Sequence, residues 1–238
     1  MSTLFTGISE LRTVSEAGTL ADAALIANTD GTIAWIGSAS EAPAADEKVD
    51  LGGRTVLPGW VDSHTHMIFD GDRSAEFEAR MAGESYQAGG IAVTMDATRS
   101  AGEERLEKLL VERIAAARRG GTTTLETKTG YGLNTESEVE AAKVAARHVD
   151  DVTFLGAHLV PPGAEAEAYL DEVVGPMLDG VAEYVQWIDV FCERGAFNEE
   201  QSRRVLEAGK ARGLGVRVHG NQLGEGPGVA LAVELGAA

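Results

Sequence analysis

Two histidines one residue apart, His64 and His66, close a short apolar run that begins at Trp60-Val61, after a Pro58-Gly59 turn. On an extended strand, residues two apart point to the same side, so the two imidazoles face one point. Neutral imidazole is a ligand for zinc or iron, and a converging pair makes half of a tetrahedral site. A bare His-x-His is better explained by two solvated rings; the preceding Pro-Gly-Trp-Val-Asp-Ser reverses that balance. Four of the five histidines, His64, His66, His158 and His219, fall at the C-terminal ends of expected strands, the end where barrel enzymes carry their catalytic groups. His219 is the natural third ligand. Three imidazoles and an open position form a catalytic metal arrangement in which bound water loses its proton near neutral pH. The fifth histidine, His148, stands at an expected helix end and complements its dipole.

The elements that would position these rings alternate between strand and helix after Pro58, the pattern of a parallel sheet or barrel. Strands are expected over 60–64, 122–128, 152–158, 185–191 and 215–219. Helix 103–119 carries Leu106, Leu109, Leu110, Ile114 and Ala117 at helical spacing, and Gly120-Gly121 stops it. Thr135-Glu136-Ser137-Glu138 has the form of a capping box opening helix 135–148, and Asn198-Glu199-Glu200-Gln201 opens 198–212 in the same way. A last helix is expected over 228–235, and residues 72–101 read as a long loop with one short helix around 75–81. Residues 1–57 differ in texture. Short strands at 25–27, 32–37 and 54–57 are separated by Asn28-Thr29-Asp30-Gly31 and Gly52-Gly53, with a solvated connection over 39–48. A (β/α)8 barrel needs eight strands, and five are present, so the chain reads as the N-terminal portion of a longer enzyme.

Composition narrows the function classes. A formal net charge of −18 over 238 residues argues against nucleic acid or an anionic membrane as partner. No apolar run approaches the ~20 residues of a membrane span, and the N-terminus lacks the basic flank and apolar core of a secretory signal. Cys192 is the only cysteine, in an apolar strand-like run, and reads as a small buried side chain in a reducing, cytoplasmic setting.

Thr55-Val-Leu-Pro-Gly-Trp-Val-Asp-Ser-His-Thr-His66 resembles the first-strand motif of the metal-dependent amidohydrolases. Gly71-Asp72-Arg73-Ser74, Tyr86-Gln87-Ala88-Gly89-Gly90-Ile91, Lys128-Thr129-Gly130-Tyr131-Gly132-Leu133, Gly156-Ala157-His158 and His219-Gly220-Asn221-Gln222-Leu223 narrow the resemblance to the imidazolonepropionase family. It covers nearly the whole chain, with the motifs in the family's order.

The resemblance implies an α/β fold: a (β/α)8 TIM barrel, incomplete here at about five βα units over 58–238. A small N-terminal β-sheet over 1–57 would be half of a composite β-sandwich completed by strands from the far C-terminus. It further implies one divalent or trivalent metal ion, Zn or Fe, held by His64, His66 and His219, with an aspartate from a later strand beyond Ala238. The implied reaction is hydrolysis of 4-imidazolone-5-propanoate to N-formimidoyl-L-glutamate in histidine degradation. Arg73 and Tyr131 would bind the substrate, with His158 and Gln222 both contacting its ring and serving catalysis. Homodimers are common among such relatives.

Read from the residues alone, several of these positions stay open. Taken alone, Arg73 is more often a surface ion-pair partner for Asp70 or Asp72, Tyr131 a loop aromatic freed by its flanking glycines, and Gln222 a loop amide that cannot be a general base. Lys128 reads as a structural charge, and Asp189 and Glu193 as supporting charges or ordinary ion pairs. Other cyclic amidohydrolases or deaminases, similar to guanine or cytosine deaminase or to dihydroorotase, are the enzymatic alternative. An inactive metal-binding fragment that needs the missing strands is the non-catalytic one.

Overall fold

A computed structural model describes residues 1–72, 74, 78, 81–83 and 91–238, with the backbone alone at 91 and 92. It divides into two units, Met1–Trp60 and Val61–Ala238.

The first unit is a four-stranded sheet of β1 (Ser2–Arg12), β2 (Thr19–Asn28), β3 (Ile33–Ser38) and β4 (Glu47–Val56), in the order β3-β2-β1-β4. Strand β1 pairs antiparallel with β2 and parallel with β4. The sequence reading had no strand over residues 2–12, and the structure supplies the reason. Gly7 takes φ +64° and the ladder slips between Phe5 and Ile8, so the buried residues fall at Leu4, Ile8 and Leu11. That spacing of four and three imitates a helix where a bulge has changed the pleat's phase. The turn at residues 28–32 closes as its residue types require, with Asp30 Oδ1 accepting the Thr32 N–H at 2.9 Å and Gly31 at φ +85°. A single 3₁₀ turn, Ala39–Glu41, interrupts the exposed 39–48 connection, and β4 is longer than the expected 54–57.

The second unit is a parallel sheet curled as a five-stranded half barrel. Its strands are β5 (Trp60–Asp62), β6 (Thr122–Lys128), β7 (Asp151–Ala157), β8 (Trp187–Cys192) and a fifth in two pieces, β9 (Gly215–Val216) and β10 (His219–Gly220). Strands β7 and β8 are buried nearly from end to end and β6 over its last four residues, as parallel strands covered on both faces must be. Helices α1 (Ile91–Arg119), α2 (Thr135–Ala146), α5 (Glu199–Ala211) and α6 (Gly228–Leu235) supply the outer cover. Leu106, Leu110 and Ile114 of α1 join Ala141, Val144 and Ala145 of α2 and the strand residues Leu125, Val152, Phe154, Ile188 and Val190 in one core.

Three differences from the expected elements carry information. Helix α1 starts at Ile91, inside the expected 72–101 loop, and breaks at Gly102 (φ +68°) where helix 103–119 was expected to begin. The short helix expected around 75–81 lies largely outside the described residues. A segment not anticipated, α3 (Ala166–Glu172) continuing through a π turn (Val173–Met177) into α4 (Leu178–Val181), covers β7, and Gly175-Pro176 breaks the periodicity that would have revealed it. Finally, α2 is capped by Asn134, whose side chain accepts the Ser137 N–H, and not by the Thr135 box. Glu138, the presumed box partner, turns inward to another task. At α5 the expected capping box does form, Asn198 and Gln201 each accepting the other's backbone N–H. Among the described residues no helix is long and apolar enough to cross a membrane.

Candidate metal centre

Strand β5 ends at Asp62, two residues short of the expected 60–64, so His64 and His66 lie just past its end. The segment is nevertheless held to β6. Thr65 O accepts the Lys128 N–H at 3.0 Å, Thr65 N donates to Glu126 Oε2 at 3.0 Å, and Met67 N donates to Thr127 Oγ1 at 2.9 Å. These bonds preserve the alternation that faces both rings one way, with centroids 5.4 Å apart. His219, on β10, reaches them from the far side of the half barrel. Its Nε2 lies 3.0 Å from His64 Nε2, and its ring centroid is 5.4 Å from that of His66.

One nitrogen from each of the three rings falls within 4.8 Å of the others, a spacing that a single metal ion would satisfy. His66 Nδ1 is buried and makes no hydrogen bond. Burial, then the neighbouring rings of His158, His219 and His64 and the Lys128 charge, push the pKa of His66 down to about 3. Burial also lowers His64, with Lys128 and His219 adding to it. Both rings are therefore neutral at pH 7, the form that ligates. The residues present fit a metal cofactor.

Around the triad stand two more of the expected residues. His158, just past β7, directs Nδ1 at the Gly130 carbonyl oxygen (2.8 Å), and its ring is 6.1 Å from His66. Tyr131 is buried edge-on to His66 (5.9 Å) and His158 (5.4 Å) and stacks on Phe69 at 5.0 Å. Gln222 is exposed on the loop after β10; its backbone N–H is held by the Glu193 carboxylate. Arg73 lies outside the described residues. Asp70 pairs with Arg105 at 3.0 Å, and Asp72 accepts from Ser74. His148, just past the end of α2, bonds Glu107 at 2.6 Å.

The Tyr131 loop is built from below. Glu138 is fully buried, and its carboxylate accepts the N–H groups of Gly130 (2.7 Å), Gly132 (2.8 Å) and Leu133 (3.0 Å). Burial pushes this carboxyl upward in pKa, further than those donors pull it down. Arg99 closes the loop from outside through the carbonyls of Gly132 and Leu133 at 2.6 and 2.9 Å. Arg113 does the same for the segment after His66, donating to Met67 O and Phe69 O at 2.6 and 2.7 Å while lying 4.0 Å over the Phe69 ring.

Four charged residues beneath the histidines complete the arrangement: Glu126, Lys128, Asp189 and Arg217. Glu126 and Arg217 had no place in the sequence reading. The available signal was the same period of two that marks His64 and His66, since Glu126 precedes Lys128, and Arg217 precedes His219, by two residues on a strand.

No family model matches the chain. The half barrel with histidines at its mouth is the fold of the metal-dependent amidohydrolases. Among solved structures it is similar to a Xaa-Pro dipeptidase (TM-score 0.62, 16% identity, covering 100% of this chain and 60% of that one). It is also similar to a guanine deaminase from C. acetobutylicum (TM-score 0.57, 14% identity, 92% and 52%). Sequence is more specific. The chain is 63% identical over 243 residues to an imidazolonepropionase of Micrococcus luteus, covering 100% of this chain and 60% of that protein. It is 64% identical over 238 residues to one of Saccharopolyspora erythraea, covering 100% and 61%. Over its whole length the chain is similar to imidazolonepropionases, and it spans about 60% of the length of these curated relatives.

Proposed function

We propose that the protein is an imidazolonepropionase, hydrolysing 4-imidazolone-5-propanoate to N-formimidoyl-L-glutamate. The observation that carries the reading is the convergence of His64, His66 and His219 within 4.8 Å in a chain 63% identical to proteins of that name. The cofactor is a single Zn or Fe ion; imidazole ligates both. Bound there, it would polarise the lactam carbonyl and lower the pKa of the attacking water.

The chain's own residues do the rest. The imidazoles of His64, His66 and His219 would hold the ion. The ring of His158 stands 6.1 Å from His66; with Nδ1 donating to the Gly130 carbonyl oxygen, the neutral ring would offer Nε2 to a bound imidazolone as a hydrogen-bond acceptor. Tyr131 walls the site beside it, its phenol presented by the cradled 130–133 loop. Arg73 grips the propanoate carboxylate, a pairing that suits a planar guanidinium. Gln222 would contact the ring, where an amide can both donate and accept. Residues 1–57 act as part of a composite sheet domain, and residues 58–238 as the N-terminal portion of the barrel.

The test is turnover of 4-imidazolone-5-propanoate by the native-length protein before and after chelation. His64→Ala should abolish metal-dependent turnover, and Arg73→Ala should raise KM at least tenfold with a smaller change in kcat. Undiminished metal-dependent turnover by His64→Ala would refute the proposal.

A further inference from the structure

Behind His219 runs a file of charges that the hydrolytic reading leaves unused. Arg217 Nη1 lies 3.0 Å from Glu126 Oε1, which in turn lies 2.6 Å from Lys128 Nζ. That ammonium is 3.7 Å from Asp189 Oδ2, and Asp189 Oδ2 is 2.9 Å from His219 Nδ1, a close pairing whose N–H direction is not aligned as a hydrogen bond in this arrangement. Glu126, Lys128 and Asp189 are each 2% exposed or less. Thr153 Oγ1 adds a bond to Glu126, and Asp189 Oδ1 accepts the Val190 N–H at 2.7 Å. A buried array of this kind is often no more stabilising than apolar side chains filling the same space, so it is weak evidence of a purely stabilising role.

Asp189, on β8, meets the one nitrogen of His219 that faces away from the triad. An ionised carboxylate only accepts hydrogen bonds, so it favours the ring with its proton on Nδ1. The lone pair is then on Nε2, the atom 3.0 Å from His64 Nε2. Lys128 bridges Asp189 and Glu126, and Arg217 closes the file, so two anions are matched by two cations before the imidazole is reached.

We infer that Asp189 is a positioning residue for the metal centre: it accepts the Nδ1 proton of His219 and thereby commits Nε2 to the metal, with Lys128 and Glu126 fixing the carboxylate in place. The inference rests on reading the three histidines as a metal site. Without Asp189 a neutral ring divides between two tautomers, one of which carries a proton on the ligating nitrogen and cannot bind.

Two measurements on the native-length protein test it. In the metal-free wild type, long-range ¹H–¹⁵N correlation of the histidine rings should show His219 protonated at Nδ1; protonation at Nε2 overturns the inference whatever the variants do. In competition with a chromophoric chelator, Asp189→Asn should bind Co(II) about 10–100-fold more weakly than wild type, with an altered visible d–d spectrum. Wild-type affinity and spectrum in Asp189→Asn, alongside lost binding in His64→Ala, would remove the inference and leave the metal reading standing. Co(II) binding that His64→Ala leaves unchanged would remove the metal reading itself, and the inference with it.

Discussion

Glu138→Ala is expected to be among the most destabilising single changes near the site, because of what the carboxylate holds. Its two oxygens accept three backbone N–H groups, at 2.7, 2.8 and 3.0 Å, all buried. Each donor left without a partner costs about 1–3 kcal/mol. Against this, removing the side chain also removes the cost of burying its charge, the same cost that raises its pKa. A net loss of about 3–5 kcal/mol follows, a large part of the ~5–15 kcal/mol typical of a whole domain. Glu138→Gln keeps one acceptor for Gly132 and Leu133 but turns an amide N–H₂ toward the Gly130 donor, so about 1–3 kcal/mol should be lost. Urea unfolding measures both variants, and amide hydrogen exchange at Gly132 and Leu133 reports whether the loop itself opens. Glu138→Ala within about 1 kcal/mol of wild type, with those amides still protected, would refute the reasoning.

Gly130→Ala should disrupt the same loop from the backbone side. Gly130 sits at φ +102°, and an added Cβ would come within 2.4 Å of the Leu155 carbonyl oxygen, so a loss above about 2 kcal/mol in chemical denaturation and a collapse of turnover are expected. His66 has its folded pKa depressed from 6.5 to about 3, so its stabilising contribution is complete above pH 6.5 and is lost as the pH falls through that range, worth a few kcal/mol in all. In the metal-free protein its ring resonances should stay unshifted from pH 8 to pH 5; titration near pH 6.5 would show a hydrated ring. Arg113→Met, which keeps the stem but removes both bonds to Met67 O and Phe69 O, should lower metal affinity severalfold by freeing the segment that follows His66, and equal affinity by chelator competition would disprove that link.

What the sequence determined by itself was local or periodic. His64 and His66 are linked by strand alternation, Asn198 and Gln201 by a three-residue capping rule, and helix 228–235 appears with the bounds its pattern implies. His219 could be nominated as a third ligand from its strand-end position. Tertiary structure alone decided which distant groups meet. Glu126 touches Arg217 across 91 residues, and Asp189 faces His219 across a strand-to-strand step that no residue spacing encodes. The same holds for Glu138. Its sequence context matches a helix cap, but the carboxylate serves a loop because Asn134 takes the cap first and three donors converge behind it. Strand β1 escaped notice because one bulge at Gly7 moved its apolar residues onto helical spacing. Propensity and pattern act over a few residues, whereas a buried charge is placed by partners that the fold brings from elsewhere in the chain.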